Sequence, residues 1–524
     1  MKFRFGQRFH RAMVGAVLAS GALTARVANG ASCESLSTLK LPHRTITLAQ
    51  TVSGSFTPSG SEELKDIPVF CRVTAESKPS DDSQIEIEVW MPASGWNGKY
   101  QGQGNGGFAG SIDYDAMAGA VSRGYATAST DTGHRGIGTD ANWALAHPEK
   151  VVDFGYRAIH EMTETAKAVI KAFYGEAPRR AYFASCSNGG RQALMEAQRF
   201  PEDYDGIIAG APANFWTHLL TEAAFNARVT LKDPASYIPP SKIPAISSAV
   251  LAACDAQDGI KDGVLNDPRQ CHFDPGTMLC KGADSDSCLS APQAAALQKI
   301  YAGPRTSNGQ QTMPGYEPGG EEGRGGWGLW ITGDAPGRAL LVTFGINYFA
   351  DMVYENATWD FRTFDLDRDV RAADDKTARI LNATDPNLKP FESRGGKLIM
   401  YHGWSDAAIP PVNAINYYEN VIGAMGPAET GSFLRLFMVP GMQHCSGGPG
   451  PVSFDQFGSG KTAGDPDHDM FTALERWVER GIAPKKIIGS GDKMTRPLCP
   501  YPQIAKYKGA GDTNDAANFV CASN

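Results

Sequence analysis

Ala184-Ser185-Cys186-Ser187-Asn188-Gly189-Gly190-Arg191 is the stretch on which the fold turns. The apolar, β-prone residues Arg180 to Phe183 lead into it, and a helical pattern, Gln192-Ala193-Leu194-Met195-Glu196-Ala197, leaves it. A strand, a tight turn of small residues and a helix, in that order, form a corner that pushes the Ser187 hydroxyl outward. The unpaired N–H groups of the helix start then face any negative charge developing beside it. Nucleophile elbows of this kind carry glycine two residues before and two after the serine; here the first is Ser185, still small, and the second is Gly189. Alone, the octapeptide reads as readily as an ordinary strand-turn-helix corner with a capping serine.

Two more stretches change that balance. Cys186 directly precedes Ser187, and Cys445 directly follows His444 in Gly441-Met442-Gln443-His444-Cys445. If the two cysteines are bonded, their Cα atoms lie roughly 4.4–6.8 Å apart, which makes Ser187 and His444 near neighbours. Between them runs Lys397-Leu398-Ile399-Met400-Tyr401-His402-Gly403-Trp404-Ser405-Asp406, a short apolar strand entering a polar loop. Ser, Asp, His is the chain order of α/β-hydrolase triads. In that reading Ser187 attacks, His444 takes and returns the proton, and Asp406 orients the imidazole. His402 is a rival base, but only His444 is tied by a cysteine to the serine. Cys186 is disfavoured as nucleophile, since an oxidising compartment and a ready partner would consume its thiol.

Cys186-Ser187-Asn188-Gly189-Gly190, Asp406 and His444-Cys445 resemble the tannase and feruloyl esterase family, which includes the mono-hydroxyethyl terephthalate hydrolases. The likeness covers nearly the whole chain beyond its first residues. It implies an α/β-hydrolase core with a large inserted lid, hydrolysis of carboxylic esters through the serine, and a Cys186–Cys445 bridge beside the active site.

The chain has 524 residues, enough for two domains or one large core with an insertion. Residues 1–30 read as a secretory signal: Lys2, Arg4, Arg8 and Arg11 precede a small, apolar run from Ala12 to Ala25, and Ala28-Asn29-Gly30 resembles a cleavage site. That run falls short of the roughly 20 residues a membrane span needs, and no later stretch is long and apolar enough. The expectation is a secreted or periplasmic protein without a membrane span. Removing residues 1–30, which carry five basic residues and no acidic one, takes the formal charge from −8 to −13. So acidic a chain is a poor match for nucleic acid. Ten cysteines in an exported chain read as a disulfide set. Sequence does not fix the pairing; proximity suggests Cys254 with Cys271, Cys280 with Cys288 and Cys499 with Cys521, leaving Cys33 with Cys71 beside the Cys186–Cys445 clip. This pairing also resembles the family's. Oligomeric state is not legible.

Residues Leu64 to Trp90 read as strands, with Ile85 to Trp90 alternating apolar and charged as if one face were wet. The glycine-rich stretch Gly102-Gln103-Gly104-Asn105-Gly106-Gly107 is no dinucleotide loop, because no acidic residue follows a second strand at the expected distance. In an α/β-hydrolase such a loop supplies one oxyanion N–H and the residue after the nucleophile supplies the other. This assigns Asn188 with Gly106 or Gly107. Asp131 and His134 close a buried strand; with no nucleophile beside them, they read as loop-fixing groups. Phe154 to Phe173 has helical spacing.

After Ala211-Pro212-Ala213 the α/β rhythm breaks until the Lys397 strand. Residues 31–213 and 385–524 are assigned to the catalytic domain and 214–384 to the lid, where specificity should reside. Within the lid, Asp255-Ala256-Gln257-Asp258-Gly259-Ile260-Lys261-Asp262-Gly263-Val264 crowds three carboxylates into one loop. Spacing alone favours a solvated acidic turn. The family resemblance implies a structural Ca2+, with Asp255, Asp258 and Asp262 ligating by side chain and Ile260 and Val264 by carbonyl. Trp327, Trp330 and Phe344 through Phe349 supply aromatics for a planar acyl group, although such rings are more often core. Arg338 reads as an exposed salt-bridging side chain; the resemblance implies a lid arginine that holds a free carboxylate, so Arg338 and Phe344 are the candidate substrate contacts. The function expected is hydrolysis of small esters of aromatic, phenolic acids through an acyl-enzyme, without a redox cofactor. A terephthalate-monoester hydrolase is the alternative within the class, and a calcium-stabilised binding protein that lost activity is the alternative outside it.

Overall fold

The computed structural model describes residues 30–58, 62–458 and 464–523. The signal read over residues 1–30 therefore lies, apart from Gly30, outside the described residues. Ten strands form one sheet: β1 (Lys40–Leu41), β2 (Arg44–Phe56), β3 (Leu64–Ser77), β4 (Ile85–Pro92), β5 (Lys99–Gln103), β6 (Ala126–Thr130), β7 (Arg180–Cys186), β8 (Gly206–Gly210), β9 (Lys397–Gly403) and β10 (Leu434–Val439). Their order across the sheet is β1-β2-β3-β4-β6-β5-β7-β8-β9-β10. The first four and their junction with β6 are antiparallel; from β6 to β10 every neighbouring pair is parallel. This is the sheet of an α/β-hydrolase.

The parallel half is apolar because both of its faces are covered. On one side helices Ala158–Tyr174, Asn188–Arg199 and Val412–Met425 pack against it through Met162, Val169, Leu194 and Ile415. On the other, helices Tyr114–Ser122 and Met470–Arg480 pack through Ala120, Phe471, Leu474 and Trp477. Strand β4 is less wet than its alternation predicts. Glu88 is buried, and its carboxylate accepts hydrogen bonds from Arg72 Nε at 2.5 Å and Trp90 Nε1 at 2.6 Å, so a charged residue sits inside because it is fully paired. The helical pattern starting at Phe154 begins with a π-turn, Asp153–Arg157, before the α-helix.

Strand order reverses at β5: the chain goes next to β6 on one side and then to β7 on the other. Loops leaving the C-terminal ends of β5 and β7 therefore diverge and leave a crevice, the usual ligand position in open α/β sheets. The segment 214–384 adds no strand to the sheet. Its helices Ile243–Cys254 and Ala291–Ala302 build an apolar cluster mostly within the segment, whereas Trp216–Leu231 and Leu366–Leu381 share one with Phe108, Trp143, Phe154 and Ile409 of the sheet's loops. Among the described residues no helix is long and apolar enough to cross a membrane. The ten cysteines are joined as Cys33–Cys71, Cys186–Cys445, Cys254–Cys271, Cys280–Cys288 and Cys499–Cys521.

Candidate active site

Ser187 stands at the end of β7 with φ 65° and ψ −128°, a left-handed conformation that non-glycine residues seldom adopt. The surroundings impose it. Ser187 N–H donates to Gly210 O at 2.9 Å, and Ser187 O accepts from Arg191 N and Ala213 N, both at 3.1 Å. A Cβ on Gly189 would fall 1.9 Å from Ser185 Oγ, and one on Gly190 would fall 2.3 Å from Gly210 O. The two glycines thus let the helix start lie against β7 and β8. The Cys186–Cys445 bond, with Cα atoms 5.9 Å apart, fixes the residues flanking Ser187 and His444 to each other.

His444 follows β10 and Asp406 follows β9. His444 Nδ1 lies 2.9 Å from Asp406 Oδ2, which leaves Nε2 without a protein partner among the described residues. Asp406 is buried; its Oδ1 accepts from Ala408 N at 2.8 Å and Ile409 N at 3.0 Å. Burial alone would raise this carboxyl, but the nearby His444, with hydrogen bonds from His402 and His444, holds it well below the usual carboxylate range. His402 also reaches Asp406 Oδ2, at 3.1 Å, yet its side chain is fully buried, so substrate cannot reach it as it can a base at the site's surface.

The β5 loop is bolted to the elbow helix. Gln192 Oε1 accepts from Asn105 N at 2.9 Å, and Asn105 Nδ2 donates to Thr130 O at 2.8 Å. Gly107 has φ +55°, and a Cβ there would meet Gly138 O at 2.2 Å, whereas a Cβ on Gly106 would meet open space. Among the described residues the N–H groups of Gly106, Gly107 and Asn188 have no acceptor. Asp131 and His134 are placed as loop-fixing groups: Asp131 Oδ1 accepts from Gly133 N and Glu86 N, both at 2.9 Å, and His134 Nε2 lies 2.8 Å from Phe108 O, its ring stacked on Trp143. Burial pushes Asp131 up to about 7 and His134 down to about 4.

A row of rings walls the site. Trp330 stands edge-on to His444, with centroids 5.0 Å apart; Phe344 lies 6.5 Å from Trp330 and 5.2 Å from Phe108. A cleft of about 840 Å³ opens on the His444 side, lined by Gly323, Arg324, Gly325, Leu329, Trp330 and Gln443. Arg324 is the arginine in that cleft. Arg338 instead is exposed in the turn before helix Leu340–Asn347, and it does not line the cleft. No pattern in the sequence separates the two arginines; chain proximity to Trp330 is the one signal that favours Arg324.

The segment 316–330 is held to both functional loops. Gln443 Oε1 accepts from Gly325 N at 3.0 Å and its Nε2 donates to Glu322 O at 2.7 Å. Tyr316 donates to Ala408 O at 3.2 Å, and Ser405 to Gly319 O at 2.9 Å. Sequence reading passed over Gln443 and Gln192, since a lone amide carries no motif.

In the acidic loop, Asp258 Oδ1 accepts from Ile260 N at 3.0 Å, Asp262 Oδ1 from Val264 N at 3.1 Å, and Asp255 Oδ1 from Gly263 N at 3.2 Å. Arg496 Nη2 donates to Asp262 Oδ2 at 2.8 Å. Three carboxylates thus share one loop, with Arg496 paired to Asp262, a donor set that suits a hard cation in kind. Their oxygens do not all lie within 4.8 Å of one another, because each carboxylate is turned toward its own loop.

Sheet order, elbow and the three strand-end loops define an α/β-hydrolase. The chain belongs to the family described as tannase and feruloyl esterase, whose profile matches residues 71–522, and is accordingly a carboxylic ester hydrolase. It is 42% identical to an uncharacterised esterase of Xanthomonas campestris pv. campestris, over 98% of this chain and 95% of that protein. It is 36% identical to the mono(2-hydroxyethyl) terephthalate hydrolase of Piscinibacter sakaiensis, over 84% of this chain and 82% of that one. Its fold is similar to the crystal structure of feruloyl esterase B from Aspergillus oryzae, with a TM-score of 0.87 at 28% identity, over 94% of this chain and 99% of that one.

Proposed function

We propose that Ser187, His444 and Asp406 form a catalytic triad that hydrolyses esters of aromatic acids through an acyl-enzyme. The Asp406–His444 pair, tied to Ser187 by the Cys186–Cys445 bond, is the observation that carries this reading. Ser187 Oγ would attack the ester carbonyl carbon while His444 Nε2 takes its proton. The oxyanion would be held by Asn188 N–H and a glycine N–H of the β5 loop, with Gly107 favoured because its φ and its packing against Gly138 fix it. His444 would return the proton to the leaving alkoxide, and water activated by the same nitrogen would release the acid. Trp330, Phe344 and Phe108 suit a flat acyl group, and the resemblance to a feruloyl esterase supports a phenolic one.

A terephthalate monoester is the second reading, favoured by Arg324 in the cleft, whose guanidinium would meet a free carboxylate, and by the Piscinibacter relative. We further propose that the chain is exported, for which five disulfides speak. The Asp255–Asp262 loop would take a structural Ca2+ after its carboxylates turn from the loop N–H groups, with no part in the chemistry. Hydrolysis of methyl ferulate, methyl gallate, a terephthalate monoester and a short nitrophenyl ester, each with a Ser187→Ala control, tests the reading. Preference for a phenolic ester supports it, activity confined to the terephthalate ester selects the second, and full activity of Ser187→Ala overturns the triad.

A further inference from the structure

His402 has no part in the chemistry just described, yet it is built into it. It is the penultimate residue of β9, and its side chain is wholly shielded from solvent. Nε2 lies 3.1 Å from Asp406 Oδ2 and 3.1 Å from Ile409 O. A carboxylate and a carbonyl only accept, so Nε2 carries the hydrogen and is shared between them. Nδ1 is buried without a hydrogen-bond partner, which makes it the bare lone pair of a neutral ring. Asp406 thereby receives four donors: two backbone N–H groups on Oδ1, and His402 and His444 together on Oδ2.

We propose that His402 is a positioning residue that sets the basicity of His444 through their shared Asp406 oxygen. This rests on the triad reading. A second donor on Oδ2 draws off part of the charge that would otherwise favour the imidazolium of His444, so the shared oxygen pulls on that imidazolium less than an unshared one would. The bond to Ile409 O also closes the loop from Gly403 to Ile409 and keeps Oδ2 aimed at His444. Of the other ionisable groups that face this cluster, burial raises the phenols of Tyr316 and Tyr401 well above their usual range, and burial likewise raises the carboxyl of Glu222, which faces Tyr316.

The test compares His402→Leu, which removes the donor, with His402→Gln, which keeps an N–H within reach of Asp406. For His402→Leu the acid limb of the kcat/KM profile should move up by roughly half a pH unit or more. Its kcat should fall about tenfold, a fraction of the 10²–10⁴ that positioned acid–base groups supply. His402→Gln should restore the limb and most of the rate. Equal losses in both variants with an unmoved limb would reduce His402 to packing and overturn the proposal, as would two folded variants identical to the parent. Nitrogen NMR of the parent, independent of any variant's folding, should show Nε2 of His402 protonated and Nδ1 bare in the active enzyme; a proton on Nδ1 contradicts the assignment. Fluorophosphonate labelling that disappears in Ser187→Ala checks the triad separately, so an unmoved limb in a labelled enzyme counts against His402 alone.

Discussion

Severing the Cys186–Cys445 bond should cost this protein both stability and rate, and the two losses have different origins. The bridge spans 259 residues of sequence, the longest of the five. In the chain-entropy description a loop of that size restricts the unfolded chain by about 5–6 kcal/mol, an upper figure before native strain. The Cys254–Cys271 and Cys280–Cys288 bridges lie within the loop and shorten it, but the dependence is logarithmic and the correction small. The rate loss is geometric. Ser187 sits in a left-handed conformation, and the loop bearing His444 reaches it from a strand two places beyond β8. With the bond gone, His444 keeps its Asp406 contact and its loop keeps the holds of Gln443 on residues 322–325 and of Gln456 on Cys445 O, but none of these ties it to Ser187. A Cys186→Ala/Cys445→Ala protein should therefore unfold at a lower temperature, by up to about 5 °C for a chain of this length. At a temperature where it is fully folded, kcat should fall more than tenfold with KM nearly unchanged, because misplacement by about 1 Å can cost 10². Calorimetry and initial rates on the same preparation decide it. An unshifted melting curve would refute the entropy argument, and an unchanged kcat the alignment argument.

Gly107→Ala forces a Cβ to 2.2 Å from Gly138 O at φ +55°, so the β5 loop must move; kcat should drop at least tenfold, whereas Gly106→Ala, which meets open space, should stay within threefold. His134, held neutral by burial down to about pH 4, binds its proton first in the unfolded chain, whose histidines titrate near 6.5. Its contribution is whole above pH 6.5 and is lost as pH falls toward 4, about 3 kcal/mol in all. Urea unfolding of parent and His134→Phe at pH 7 and 4.5 isolates this from Asp131, whose raised carboxyl acts in the opposite sense; the parent should lose more stability on acidification, and equal losses would count against the assignment. Full chelation should lower the melting temperature while leaving kcat of the folded enzyme intact; an unchanged melting curve would remove the calcium reading.

The sequence announced the elbow because its chemistry is local: small residues, a serine and a helix start occupy eight consecutive positions. The His-Cys and Cys-Ser pairs worked at long range because a disulfide converts two distant dipeptides into one place. What stayed hidden is what depends on side chains meeting across the fold. Glu88 looked like the wet face of β4 until Arg72 and Trp90 turned out to pair with it inside. Arg338 and Arg324 are both exposed, and only the packing of residues 316–330 on the loops after β9 and β10 sets Arg324 along the cleft while Arg338 stays away from it.

That same packing says how specificity and chemistry are joined. Trp330 and Phe344 of the aromatic wall, with Arg324, belong to the segment inserted between β8 and β9, while Phe108 and the proposed reacting groups belong to loops of the sheet. Near the reacting groups the two are coupled by Tyr316 and Ser405 at the Asp406 loop, and by Gln443 beside His444. Gln443 takes part through both ends of its amide, so replacing it by Glu would keep the acceptor for Gly325 N and lose the donor to Glu322 O. A carboxylate there would also face that carbonyl unpaired and stand next to His444. On the proposed triad, the same anchors that hold the wall would therefore restrain the base. On that proposal, changes to the wall at Trp330 or Phe344 should alter which acid fits, whereas changes to the anchors should alter how well any acid is turned over.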